Sequence, residues 1–265
     1  MTNIQSFKFQ KLIPISLSLL LGVIFLLLSN CGSTNKIQRY SDPSQAELVK
    51  NEELKTLRRG KVIWFDANTG TNGRSCESCH PGGEMTNSES YPRYKHVLRT
   101  MATLSMTHNF AVVNESKGRP WELGSEDANA LVLFVMSLAN GKPIRMAWPK
   151  EYRNEWINRG KAAFIDSSLG TNRLSCQSCH QEGGKRKNSL AGKMAPELKG
   201  IAATYPKYSF AYQKVITLEQ QVNYCIEQHL KGAPLPLDDQ TIVALCCYLT
   251  SLSEGTKINV ARFKE

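Results

Sequence analysis

An all-α fold of two tandem domains is predicted by three features of this 265-residue chain. A motif of two cysteines and a histidine occurs twice, as Cys76-Glu-Ser-Cys79-His80 and Cys176-Gln-Ser-Cys179-His180. Each half closes in an apolar segment of helical period, and no convincing alternating strand pattern is present. The halves also follow one plan. Arg59-Gly60-Lys61, Gly70-Thr71-Asn72 and Ser75-Cys76 return 100 residues later as Arg159-Gly160-Lys161, Gly170-Thr171-Asn172 and Ser175-Cys176. Tyr91-Pro92-Arg93-Tyr94 and Gly141-Lys142-Pro143-Ile144 return 114 residues later, as Tyr205-Pro206-Lys207-Tyr208 and Gly255-Thr256-Lys257-Ile258. The second half therefore carries 14 extra residues between His180 and Tyr205.

Residues 1–31 read as a targeting segment rather than as fold. Lys8 and Lys11 precede an apolar run from Leu12 to Leu28, interrupted by Pro14, and Ser29-Asn30-Cys31 leads into a polar stretch. This resembles a bacterial lipoprotein signal with Cys31 as the lipidated residue, although Asn30 is atypical before that cysteine. An uncleaved N-terminal anchor is the alternative, since the run is near the lower length limit for a spanning helix. Both readings put the globular part on the periplasmic side, anchored to a membrane.

Residues 32–58 are a polar linker and the start of the first helix, with Asp42-Pro43-Ser44 as start signal. Residues 59–146 form the first domain and 147–265 the second. In each, a helix containing Gly60 or Gly160 precedes the Cys/His motif. The glycine admits another helix at close range, and Trp64, Phe65 and Phe164 supply bulk beside it. The first closing helix is predicted over about 126–139, with Ser125 as N-cap and Gly141 beyond its end. The second is predicted over about 238–252, followed by Gly255. Leu131, Phe134, Val135 and Leu138 are spaced for one buried face, and Leu245, Tyr248, Leu249 and Leu252 repeat it. Residues 147–158 join the halves, with Trp148-Pro149 marking the break.

Cys-x-x-Cys-His is the spacing of c-type haem attachment. Two cysteines form thioethers to one porphyrin, and the adjacent histidine reaches the iron. A zinc site would need four matched ligands, and a disulfide or thioredoxin-like pair would not need the histidine twice. Two covalently bound haem c groups are therefore expected, one on Cys76, Cys79 and His80 and one on Cys176, Cys179 and His180. Each domain is then cytochrome c-like, and electron transfer is the expected role. The formal net charge is +10, or +8 without residues 1–30. That balance suits an anionic small substrate or an acidic redox partner. Nucleic acid is a poor match for an exported haem protein, and a solvated lysine-rich surface is the plain alternative.

The sixth iron position sets potential and reactivity. In the second half Cys225 stands out, lying outside the haem motif and beyond the insertion. A thiolate on ferric iron is anionic and lowers the reduction potential; a small buried apolar residue is the alternative reading. The stretch Gly200 to Tyr208, Leu218-Glu219-Gln220, Asn223-x-Cys225, Leu235-Pro236 and Ala244-Leu245 with Tyr248-Leu249 resembles the C-terminal haem domain of the SoxA family. SoxA is the dihaem subunit of the sulfur-oxidising cytochrome complex. The resemblance covers about residues 159–258 well and the first half in plan. Dihaem thiosulfate dehydrogenases share the Asn-x-Cys block, usually in their N-terminal domain, so the domain order here favours SoxA.

The resemblance implies that His180 and Cys225 ligate the second iron and that Cys225 transiently bears sulfur. It also implies that thiosulfate is oxidatively joined to a cysteine of a sulfur-carrier protein. Electrons would leave through the haems to a monohaem cytochrome c partner of SoxX type. One departure matters. The family has an arginine four residues before the ligand cysteine, and this chain has Gln221. Glutamine cannot reproduce a charged, bidentate grip on an oxyanion. Lys185, Arg186, Lys187 and Lys193 in the insertion could supply charge instead, or form a solvated basic loop.

In the first half Ala111 stands where Cys225 stands in the second. Candidates for the first iron's sixth ligand are His108, with Met106 as alternative, then Met101 and His96; an open or water-ligated iron is the other possibility. On a helix, His108 lies one turn before Ala111 on the same face. A histidine or methionine ligand gives a higher potential than a thiolate, so electrons would pass from the second haem to the first. His229, one turn after Cys225, reads as a surface histidine, Cys246 and Cys247 as buried small residues, and Met194 as a remote switching candidate. Two function classes follow: a SoxA-like sulfur-transferring oxidoreductase with Cys225 as catalytic residue, or a non-enzymatic, membrane-tethered dihaem carrier or redox sensor. A dihaem peroxidase is less favoured, because only three of the five histidines lie outside the haem motifs.

Overall fold

The computed structural model describes residues 42–181, 195–261 and 263. Cys31, Met194, the basic residues 185–187 and Lys193 lie outside the described residues. The chain divides into two units, Met1–Ala46 and Glu47–Glu265. Of the first, residues 42–46 are described; Asp42 Oδ1 accepts from Ser44 N at 2.9 Å and caps the first helical turn.

The described residues form α1 (Pro43–Phe65), α2 (Cys76–Cys79), β1 (Arg93–Lys95), β2 (Thr100–Ala102), α3 (Leu104–Asn114) and α4 (Glu126–Ser137). The second half repeats these as α5 (Lys150–Ile165), α6 (Cys176–Cys179), β3 (Lys207–Ser209), β4 (Lys214–Ile216), α7 (Leu218–His229) and α8 (Gln240–Ser251). From β1 to α4 the boundaries return 114 residues later, as the sequence offsets require, except that α7 runs one residue longer than α3.

The fold is mostly helical, with one addition. β1 pairs antiparallel with β2, and β3 with β4, in three-residue ladders ahead of α3 and α7. Three residues are too few to establish an alternating pattern, which is why the sequence shows no strand signal.

The glycine reading holds in both halves. A Cβ on Gly60 would lie 2.0 Å from the Ala130 carbonyl oxygen, and one on Gly160 would lie 2.0 Å from that of Ala244. α1 thus crosses α4, and α5 crosses α8, at backbone contact. The closing helices start as predicted: Ser125 Oγ accepts from Ala128 N at 3.3 Å, and Asp239 Oδ1 from Thr241 N at 2.7 Å. Their burial is wider than predicted. Beyond the expected face, Leu133 and Val243 are also enclosed. The reason is that each helix packs against its own domain on one side and the other domain on the other. Leu133 joins Ile258, Ala203 and Val215, while Val243 and Cys247 join Met101, Met146 and Trp148.

The segments that match in sequence, 141–144 and 255–258, meet each other. Gly141 N donates to Ile258 O and Gly255 N to Ile144 O, each at 2.9 Å. Ile144 N donates to Thr256 O at 2.9 Å and Ile258 N to Lys142 O at 3.0 Å. These mirrored bonds relate the halves by an internal two-fold.

Candidate functional site

Each Cys/His motif is a single helical turn opened by a serine pair. Ser75 N donates to Ser78 Oγ, and Ser175 N to Ser178 Oγ, both at 3.0 Å. The preceding Gly-Thr-Asn loop is fastened to the end of the helix that faces the motif. Thr71 N donates to Ser116 O at 3.0 Å and Asn72 Nδ2 to Glu115 O at 2.6 Å. Thr171 N donates to Leu230 O at 3.1 Å and Asn172 Nδ2 to His229 O at 2.8 Å. The otherwise orphaned carbonyls at the ends of α3 and α7 are thereby satisfied, and the two walls of each site are tied together.

Both motif histidines are oriented alike. His80 Nδ1 lies 2.9 Å from Glu84 O, and His180 Nδ1 lies 3.0 Å from Pro196 O. A carbonyl only accepts, so each Nδ1 carries the proton and each Nε2 is left as a lone-pair donor. Trp64 stands 6.1 Å from His80 and Phe164 6.5 Å from His180, each packed on its closing helix through Phe134 or Tyr248. Trp64 Nε1 donates to Glu77 Oε2 within the first motif, at 2.5 Å.

α3 and α7 supply the facing walls. His108 on α3 has a buried Nδ1 without a hydrogen-bond partner. Burial drives its pKa down to about 3, and positive charge at His80 and Lys95 acts the same way. On α7, burial pushes the Cys225 thiol up, a hydrogen bond from Gln221 pulls it down, and charge at Cys179 raises it again. Charge at Cys225 in turn raises Cys176, after burial, to about 12. α7, which carries Cys225, packs on Cys176 of the second motif through Val222 and Ile226, and α3, which carries His108, packs on Cys76 of the first through Leu104.

These residues fit haem c. Each site offers two free cysteines, an Nε2 with its tautomer fixed, and a buried nitrogen or sulfur donor on the opposite helix. Among the described residues no group of three or more His, Cys, Asp or Glu side chains converges to hold a metal ion directly.

The asparagine of the Asn-x-Cys block also has a clear task. Asn223 Nδ2 donates to Leu235 O at 2.6 Å and its Oδ1 accepts from Leu235 N at 3.0 Å, holding the Leu235-Pro236 segment against α7. Asn109 does the same with Trp121 in the first half. Gln221 lies beside the Cys225 sulfur: its Nε2 is 3.6 Å from Sγ, and its Oε1 accepts from the Tyr205 hydroxyl at 3.0 Å.

Other candidates sit elsewhere. Met106 packs against the interface cluster of Met146 and Trp148, in which Met101 is fully buried. His96 is exposed and edge-on to Tyr94 at 5.1 Å. His229 is exposed, edge-on to Tyr224 at 5.7 Å, and its charge opposes protonation of His180. Cys246 and Cys247 are buried in α8. The sequence reading missed Tyr212 and Tyr224, whose rings lie 5.8 Å apart; burial first, then negative charge at Glu227, Tyr224 and Cys225, raises Tyr212. Leu98 and Phe110 stand at their places in the first half, so the tyrosines are confined to the half that has Cys225.

The family model described as SoxA/TsdA, cytochrome c domain matches residues 59–144 and 159–258. The chain is 23% identical over 228 residues to the L-cysteine S-thiosulfotransferase subunit SoxA of Pseudaminobacter salicylatoxidans, covering 84% of this chain and 76% of the relative. It is 32% identical over 121 residues to the thiosulfate dehydrogenase of Allochromatium vinosum, covering 44% of each. Its fold is similar to a chain of SoxXA from P. pantotrophus, with a TM-score of 0.68, 18% identity, and coverage of 79% of this chain and 78% of that one.

Proposed function

Because the chain belongs to the SoxA/TsdA cytochrome c family, we propose that it is an exported dihaem c-type cytochrome that transfers electrons in the oxidation of thiosulfate or a related sulfur compound. Its relatives include L-cysteine S-thiosulfotransferase subunits and thiosulfate dehydrogenases, which supports an enzyme of this class. The observation that supports the reading is that Cys225 lies on α7, the helix whose Val222 and Ile226 pack with Cys176 of the second motif.

Haem c, when bound, supplies a one-electron acceptor at each motif. Cys76, Cys79, Cys176 and Cys179 would hold it through thioethers, and the Nε2 atoms of His80 and His180 would bind the irons. His108 and Cys225 would be the further donors to the first and second iron. The overall reaction joins the terminal sulfur of thiosulfate to a cysteine of a carrier protein. An S–S bond forms, an S–H bond breaks, and one proton and two electrons leave. Cys225 is the residue that bears the sulfur in transit. A buried thiol is a poor nucleophile, and a cationic centre facing it would hold the reactive thiolate.

That the relatives are named as subunits supports a partner chain, proposed as a monohaem cytochrome c of SoxX type. The apolar run from Leu12 to Leu28 and Cys31 support a periplasmic protein tethered by a lipid or a helix. Among the described residues no helix is long and apolar enough to cross a membrane, and residues 12–28 are not among them.

One observation favours the second reading, a tethered electron carrier without turnover: the side chain beside Cys225 is the neutral Gln221. The test is anaerobic mixing of the oxidised protein with thiosulfate and a carrier cysteine, followed by absorbance. Reduction by the wild type and none by Cys225→Ser supports the enzyme. No reduction by a wild type that holds both haems supports the carrier.

A further inference from the structure

The side chains around Cys225 include a hydrogen-bonded line that the thiosulfate reading does not use. Gln221 lies one turn before Cys225 on α7, so the two side chains share a face. The Tyr205 hydroxyl donates to Gln221 Oε1 at 3.0 Å, and Gln221 Nε2 stands 3.6 Å from Cys225 Sγ. With Oε1 occupied as acceptor, the amide can only present its N–H groups to the sulfur. Tyr205 is itself held: it is buried, and Lys207 Nζ sits 4.5 Å above its ring. A cation over the ring draws electron density from the phenol and makes the hydroxyl a better donor.

The first half supplies an internal control. Tyr91 keeps the aromatic position and has Arg93 at 5.8 Å and Lys95 at 5.3 Å over its ring. Thr107 and Ala111 stand where Gln221 and Cys225 stand. The tyrosine and its cation therefore belong to both halves, whereas the amide and the sulfur occur together in one.

We propose that Gln221, locked by Tyr205, is the positioning residue for the Cys225 sulfur: it donates an N–H to that sulfur, fixes its direction, and withdraws electron density from it. The proposal rests on the reading that Cys225 is the sulfur facing the second haem. A hydrogen bond to a metal-bound thiolate weakens its donation and raises the reduction potential of the centre. The amide does this without adding a full charge beside the sulfur. Tyr205 acts one step further out, by setting the orientation of the amide.

The experiment uses the purified holoprotein, with two haems per chain verified for every variant. Both midpoint potentials are titrated by absorbance, and low-temperature electron paramagnetic resonance of the oxidised state is recorded. The proteins compared are wild type, Gln221→Leu, Tyr205→Phe and the double variant. Loss of the donor in Gln221→Leu is expected to lower the second haem's potential and shift its thiolate signal, with the first haem unchanged. Tyr205→Phe is expected to shift the second haem in the same direction by less, and the double variant to match Gln221→Leu alone. Unchanged second-haem potential and signal in Gln221→Leu, with a thiolate signal present in the wild type, overturns this inference only. A wild type without a thiolate signal overturns the Cys225 reading and this inference with it.

Discussion

Asn129, in the first turn of α4, donates its side-chain amide to Gln220 Oε1 on α7 at 2.8 Å, across the boundary between the halves. The same Nδ2 reaches Val215 O at 2.9 Å and Gly124 O at 3.3 Å. Gln220 in turn accepts from Thr217 N at 3.1 Å at the start of the helix that carries Cys225. The core of the first domain thus anchors the entry to the Cys225 helix. Replacing Asn129 by Ala removes the donor to Val215 O, while Gln220 Oε1 keeps Thr217 N and Gly124 O keeps Lys214 Nζ, and a loss of about 1–2 kcal/mol is expected. Thermal unfolding of the holoprotein reads it directly. A change below ~0.5 kcal/mol would mean that solvent takes over these bonds.

The two glycine crossings predict a second, stronger lesion. In Gly160→Ala the new Cβ meets a backbone carbonyl, which cannot rotate away, so α5 and α8 must separate. A cost of about 2–3 kcal/mol is expected, from overpacking. Gly60→Ala should behave alike, because Ala130 O stands at the same 2.0 Å. Unfolding midpoints of both variants test this; a neutral effect at either site would contradict the close crossing.

His108 gives a prediction in pH. Its folded value, about 3, lies below the ordinary 6.5. Between those values only the unfolded chain takes the proton. Folding stability in the haem-free chain therefore falls as pH drops through that window, and His108 makes no such contribution above it. In the holoprotein the neutral ring remains available to the first iron down to mildly acid pH. The first haem's low-spin spectrum is expected to hold constant from about pH 8 to about pH 5, whereas an exposed histidine would protonate in that range. Loss of the spectrum in a step near the ordinary histidine value would remove His108 from that role. His108→Ala should alter the first haem alone.

Gln221→Arg tests which of the two functions the site performs. A guanidinium beside Cys225 adds a charge-assisted contact for a dianion, of about 1.5–3 kcal/mol. A KM for thiosulfate lower by about tenfold or more is the expected outcome if the neutral amide limits substrate binding. If the variant and the wild type are equally inert while both hold two haems, the carrier reading gains.

Much of this architecture is legible in the sequence because the repeat is local and literal. Offsets of 100 and 114 reproduce most of the element boundaries, and Ser125 caps α4 as read, although the helix ends at Ser137, two residues before the predicted Ala139. Gly60 and Gly160 announce helix crossings because only a missing side chain explains a glycine inside an otherwise good helix. What the sequence hides is tertiary. That residues 141–144 pair with 255–258 follows from an internal two-fold, which similarity between two segments does not itself imply. Leu133 and Val243 look like outer-face residues until the opposite domain covers them. Gln221 reads as the loss of an arginine, and only the fold shows Tyr205 holding it against the sulfur. Tyr212 and Tyr224 carry no motif at all; only comparison with Leu98 and Phe110 in the other half could have marked them.

The most direct test of the central claim is low-temperature electron paramagnetic resonance of the purified oxidised protein, wild type beside Cys225→Ala. A low-spin thiolate signal in the wild type, absent from the variant while the first haem's signal is retained, is the expected result. Identical spectra, or no thiolate signal in the wild type, would contradict Cys225 as the iron-facing sulfur and leave a tethered electron carrier.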